Sequence, residues 1–76
     1  GWDLNVYPNP TTGLLNISGH DPGSELTLTD MSGRVVMTEV LTANNAQIEL
    51  SAIAKGMYFL NVVKGNQVAQ AKVQVR

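Results

Sequence analysis

The chain has no cysteine among its 76 residues. That excludes disulfide bridges and zinc sites built on thiolates. It also has little charge: 14% of residues are Asp, Glu, Lys or Arg, against about 25% in a typical domain. The five basic and six acidic residues are scattered singly and leave a net charge of -1. A nucleic-acid binder needs a basic stripe, and none is present. No apolar run approaches the ~18 residues of a membrane-spanning helix. Aromatics are limited to Trp2, Tyr7, Tyr58 and Phe59, and there is one histidine, His20. The chain opens on Gly1 without an initiator Met, which reads as a piece of a longer protein.

What is present is 43% apolar residues with seven glycines, the composition of a folded chain rather than a disordered one. The length gives one domain, spanning 1–76. Surface scaling expects roughly 4,500 Å² exposed after folding, with about 60% of the unfolded surface buried. Apolar burial on that scale contributes about 110 kcal/mol, and ordering the chain costs about the same. The fold must therefore hold on a thin margin, by packing alone.

The dominant pattern has period two. Leu26 and Leu28 alternate with Glu25, Thr27 and Thr29, and Ile48 and Leu50 with Gln47 and Glu49. Tyr58, Leu60 and Val62 share one face. Ala69, Ala71, Val73 and Val75 alternate with Gln70, Lys72, Gln74 and Arg76. Such alternation marks strands with one face on a core and one in water. Seven strands are predicted, over 4–7, 14–18, 25–29, 34–41, 46–50, 57–63 and 67–75. The strand over 34–41 is ambiguous. It is either apolar on both faces or shifted in register by a bulge.

The turns agree with this division. Pro8-Asn9-Pro10 interrupts strand pairing, because proline has no N–H. Asp21-Pro22-Gly23-Ser24 is a turn. Asp30-Met31-Ser32-Gly33 fits a type I turn closed by a left-handed glycine, and Gly65-Asn66 a two-residue hairpin turn. Ser51 to Gly56 reads as one helical turn, with Ser51 as N-cap and Gly56 just past the end. Short strands with turns every 8–12 residues give an all-β fold, a small Ig-like β-sandwich or barrel of about seven antiparallel strands.

Little in the sequence supports catalysis. His20 and Asp21 are neighbours on an extended chain, so their side chains diverge, and the pair is expected at a surface turn. The carboxylates are unpaired and form no calcium loop, and turn chemistry accounts best for Asp30. Asn16-Ile17-Ser18 matches a glycosylation sequon but falls in a strand. Tyr7 and Tyr58 are expected as core rings with hydroxyls at the rim. Phe59 is expected on the opposite face, and Trp2 either mobile or packed on a preceding domain. Pro8-Asn9-Pro10 is either a rigid connector or a rigid exposed feature for a receptor, the connector being favoured. No catalytic residue, cofactor or metal ligand is expected.

Four blocks together carry a resemblance that spans essentially the whole chain. Tyr7-Pro8-Asn9-Pro10, small polar residues and Gly13 are followed by the apolar Leu15-Asn16-Ile17. A strand from Leu26 then leads into Asp30-x-x-Gly33-Arg34 and valines. Next comes Leu50 with Gly56-Met57-Tyr58-Phe59-Leu60, and finally Lys72-Val73-Gln74-Val75. In order and spacing this resembles the C-terminal sorting domain of the type IX (Por) secretion system of Bacteroidetes. The resemblance implies an Ig-like seven-stranded sandwich at the end of a longer secreted cargo. It implies a passage through the periplasm and recognition by an outer-membrane translocon. In one subtype it also implies removal by a sortase and coupling of the cargo to a surface lipopolysaccharide. The motif residues carried over are Tyr7, Pro8, Asn9, Pro10, Gly13, Gly33, Arg34, Gly56, Tyr58, Lys72, Val73 and Val75. Of these, Arg34 and Lys72 are the least accounted for by packing, which favours the final strand, with Lys72, as the recognition element. The alternative is an Ig-like or fibronectin-like accessory module for spacing or glycan binding.

Overall fold

The computed structural model describes residues 3–76, so Trp2 lies outside the described residues. Seven strands are formed: β1 (Asn5–Tyr7), β2 (Leu14–Ser18), β3 (Ser24–Asp30), β4 (Val35–Leu41), β5 (Asn45–Glu49), β6 (Gly56–Lys64) and β7 (Gln67–Val75). They make two antiparallel sheets, a three-stranded one in the order β1-β2-β5 and a four-stranded one in the order β4-β3-β6-β7. This is a small Ig-like sandwich, and its exposed surface of 4463 Å² matches the scaling for this length.

The alternation read from the sequence places the core. Leu15 and Ile17 of β2 and Ile48 of β5 face Leu26 and Leu28 of β3, Tyr58, Leu60 and Val62 of β6, and Val73 and Val75 of β7. On the outer face of the larger sheet, register aligns Val40, Glu25, Val63 and Val68 in one row and Thr38, Thr27, Asn61 and Gln70 in the next. Polar side chains along such a row bond across strands, as Gln70 Nε2 does to Asn61 Oδ1 (2.8 Å).

The ambiguity over 34–41 resolves as a bulge. Leu28 pairs with Met37 but Thr29 pairs with Val35, so Val36 is the extra residue. The shift leaves Val36 and Met37 half-buried against the core while Val35 and Val40 face solvent. The β6–β7 hairpin closes as expected on Gly65 and Asn66, with Gly65 at φ 59° between the paired Lys64 and Gln67.

Two local expectations are corrected. No helical turn forms between Ser51 and Gly56. Instead the Ile53 N–H bonds the Leu50 carbonyl in a single turn (2.9 Å), and Glu49 Oε1 takes the Ser51 N–H (3.1 Å). That carboxylate, not the Ser51 side chain, caps the turn, and Gly56 already opens β6. His20 is not at the surface. It is 4% exposed, and its Nε2 meets the Ala43 carbonyl at 2.7 Å. A carbonyl only accepts, so Nε2 carries the proton. Asp21 remains exposed in the turn that follows, and His20 Nδ1 has no hydrogen-bond partner among the described residues.

Truncating Leu28 to Ala, at the centre of the larger sheet, should destabilise the domain by about 2–5 kcal/mol. Val40→Ala, on the outer row, should cost under about 0.5 kcal/mol. Urea denaturation of both variants checks the assignment of faces.

Candidate functional site

The motif residues gather in two places. The larger group lies where the segment between β1 and β2 meets the edge of β7. β1 is only three residues long. Val6 turns inward, so Tyr7, one residue on, turns out and is 56% exposed. The expectation of a core ring is therefore wrong for Tyr7. It holds for Tyr58, which is 6% exposed and donates its hydroxyl to the Ala54 carbonyl.

After Tyr7 the chain passes through Pro8 and Pro10, both preceded by cis peptide bonds, and lies along β7. Asn9 behaves there as a stand-in for a strand residue. Its Nδ2 donates to the Lys72 carbonyl (2.8 Å) and its Oδ1 accepts from the Gln74 N–H (3.1 Å). The backbone then takes over. Thr11 N–H donates to the Gln74 carbonyl (2.9 Å), and Arg76 N–H donates to the Thr11 carbonyl (2.9 Å). Four consecutive outward-facing groups of the final strand are satisfied in this way. Two proline nitrogens cannot donate, so a side-chain amide supplies the first contacts.

Thr11 anchors the segment from below and escaped the sequence reading. It is fully buried, its hydroxyl donates to the Leu14 carbonyl (2.7 Å), and it accepts from the Gly13 N–H (3.1 Å). Its only sequence signal was a threonine among small polar residues. Gly13 sits in a close approach. A Cβ there would stand 3.2 Å from Glu49 Oε1, and the Gly13 carbonyl accepts from Leu50 N–H (2.7 Å). Val73 and Val75 are core residues. Lys72, between Ala71 and Val73, turns outward and is exposed.

The second place is the β3–β4 loop. Gly33 stands at φ 90°, a conformation open to glycine without strain, and its N–H bonds the Asp30 carbonyl (3.0 Å). Asp30 Oδ1 accepts from the Ser32 hydroxyl (2.7 Å), the Ser32 N–H (3.0 Å) and the Arg34 N–H (3.0 Å). Arg34 Nε lies 3.2 Å from Asp30 Oδ2. Its role is thus partly local, a surface ion pair of small energetic weight. The Ser32 hydroxyl, and then the Arg34 N–H, hold the Asp30 carboxyl below its ordinary value of 3.8. Among the described residues no three His, Cys, Asp or Glu side chains converge on a metal position. A depression of about 200 Å³ at the β4–β5 flank, lined by Leu41, Ala43, Ala46 and Ile48, is smaller than the ~300–1,000 Å³ of small-molecule sites.

A family model described as the secretion system C-terminal sorting domain matches residues 5–76. The chain belongs to this family, the sorting domains of type IX secretion. The sorting domain is 34% identical over 59 residues to beta-agarase A of Zobellia galactanivorans, a match covering 75% of this chain and 11% of that enzyme. It shares its fold with PorZ, a surface component of the type IX secretion system of Porphyromonas gingivalis. The TM-score is 0.79 at 22% identity, covering 97% of this chain and 11% of PorZ. The chain thus spans about a tenth of each of these proteins. The sorting domain is a secretion signal, and the protein that bears it is secreted or held at the cell surface.

Asn9→Ala should lower stability by about 1 kcal/mol and accelerate amide exchange at Gln74 while leaving the inward-bonded Val73 amide protected. Equal acceleration at both would show general loosening instead. For Asp30, the depressed folded pKa means that its contribution is complete above the unfolded value of 3.8 and is lost as pH falls through the folded one. NMR titration should place the Asp30 midpoint below 3.8, and Asp30→Asn should flatten the acid limb of thermal stability below that pH.

Proposed function

We propose that residues 1–76 act as one folded recognition unit at the end of a longer secreted cargo. The cargo enters the periplasm, and an outer-membrane translocon binds the domain and exports the protein attached to it. In the version with a sortase, the domain is then removed and the cargo is joined to a surface lipopolysaccharide. The translocon reads the final strand, with Lys72 as a point of contact.

The observation that carries this reading is the position of β7. It is an edge of the larger sheet, it contains the last motif block, and its Lys72 side chain is exposed with no ion pair among the described residues. A cation with no ion pair among the described residues is available to a partner outside the fold. The other motif residues build the platform. Asn9, Pro10 and Gly13 shape the segment on the edge, Gly33 and Arg34 close the β3–β4 loop, and Gly56 and Tyr58 set the start of β6 against β7. Tyr7 and Pro8, exposed just before Asn9 in the chain, extend the surface that a partner meets.

Fusing the chain to a periplasmic reporter in a type IX-competent cell should send the reporter outside. Retention of a folded fusion in the periplasm would refute the proposal. Lys72→Ala should leave the thermal midpoint unchanged and lower the exported fraction about fivefold, the effect of losing ~1 kcal/mol of partner affinity. Deleting Lys72 to Arg76 is a poorer probe, because it also removes core Val73 and Val75.

A further inference from the structure

In a regular strand the N–H and C=O of one residue point to the same side, and successive residues point to opposite sides. The β6–β7 register runs without a shift from Gly56↔Val75 to Lys64↔Gln67. Gln74 bonds outward through both of its groups, and the Lys72 carbonyl and Arg76 N–H do the same. By the same alternation Val68 and Gln70 present both backbone groups outward, as does the Lys72 N–H. None of these has a hydrogen-bond partner among the described residues. The seam made by Asn9 and Thr11 therefore covers half of the β7 edge and leaves the other half, Val68 to Lys72, open.

That open half carries little of the usual protection of an edge. Natural edges are blunted by charge, proline, bulges or short length. β4 has its bulge at Val36 and carries Glu39, and β1 has only three residues. From Gln67 to Ala71 there is no charge, proline or bulge, and Lys72 at the far end is the one charge of the open half.

We propose that this half-edge is a strand-addition site for an extended segment of the export machinery, about five residues long. The proposal rests on the sorting reading above and specifies how the final strand is read. Affinity comes from main-chain bonds to Val68, Gln70 and Lys72, the general mode of β-augmentation. Selectivity comes from the outer row. Across an added strand, Val68 calls for an apolar side chain and Lys72 for a carboxylate four residues away on the same face. Asn9 sets the length, because it occupies the edge beyond Lys72.

A second copy of this chain fits poorly. Antiparallel pairing centred on Gln70 would set Val68 against the lysine of the other copy. It would also drive that copy's Gly65-Asn66 turn onto the position held by Asn9, opposite Gln74. A short strand from another protein ends before this obstacle.

Proline at position 70 is the direct test. The Gln70 N–H points away from β6, so Gln70→Pro removes no ladder bond but blocks an incoming strand. The variants are made in the full chain fused to a periplasmic reporter, and circular dichroism checks the fold. With a native spectrum, Gln70→Pro should cut export about tenfold, whereas Gln70→Ala, which keeps the N–H, should cut it by less than about threefold. Export of folded Gln70→Pro at the unmodified level would overturn strand addition. Failure of the unmodified fusion to leave the periplasm would instead overturn the sorting reading. If Gln70→Pro loses its fold, Lys72→Glu decides, because it repels the called-for carboxylate at an exposed site. An export loss of about fivefold or more supports the proposal and unchanged export refutes it. A dimer in analytical ultracentrifugation that Gln70→Pro dissolves would also refute it, by giving the edge to a second copy.

Discussion

The structure depends on a seam between its beginning and its end. Asn9 and Thr11 bond to Lys72, Gln74 and Arg76 across more than sixty residues. No disulfide is available for this closure. Each of these bonds contributes only about 1 kcal/mol net, but together they tie the segment between β1 and β2 to the last strand. Thr11, buried and bonded to Leu14 and Gly13, links the seam to β2 and thence to the core. The sheets are held by apolar packing, and the seam holds the register in which they pack.

This arrangement accounts for a motif that composition alone leaves unexplained. Two prolines flanking an asparagine give a segment that cannot pair as a strand but can present one side-chain amide with a donor and an acceptor in strand-like array. Aspartate at the same position would offer no donor to the Lys72 carbonyl, and serine would be too short to span both groups. The segment thus covers one part of an edge while remaining too irregular to continue along it.

The faces of the strands were legible in the sequence because period two survives wherever one face is buried. Leu26, Leu28, Leu60, Val62, Val73 and Val75 follow it without exception. The fourth strand resisted because Val36 sits in a bulge, where two residues oppose one and alternation is lost. Tyr7 was misjudged from its aromatic character, although the inward turn of Val6 already placed it outside. His20 could not be placed locally, since its hydrogen-bond partner is the Ala43 carbonyl in the β4–β5 connection, 23 residues away. The partners of Asn9 were equally out of reach, because alternation says which face a residue takes and not what lies beside an edge. The family blocks marked Asn9 and Lys72 as important without saying that they touch.

The seam also bears on how the domain comes into being. Contacts of such long sequence separation carry a high loop-closure cost and slow folding. Both halves of this closure are needed, and the later half consists of the last strand. A chain interrupted before Lys72 has neither its final core valines nor a partner for Asn9, and it cannot close the sandwich. The folded state therefore carries information beyond its own surface. It certifies that translation has run through the whole domain, so any receptor that requires the closed form will pass over truncated products without inspecting the rest of the protein.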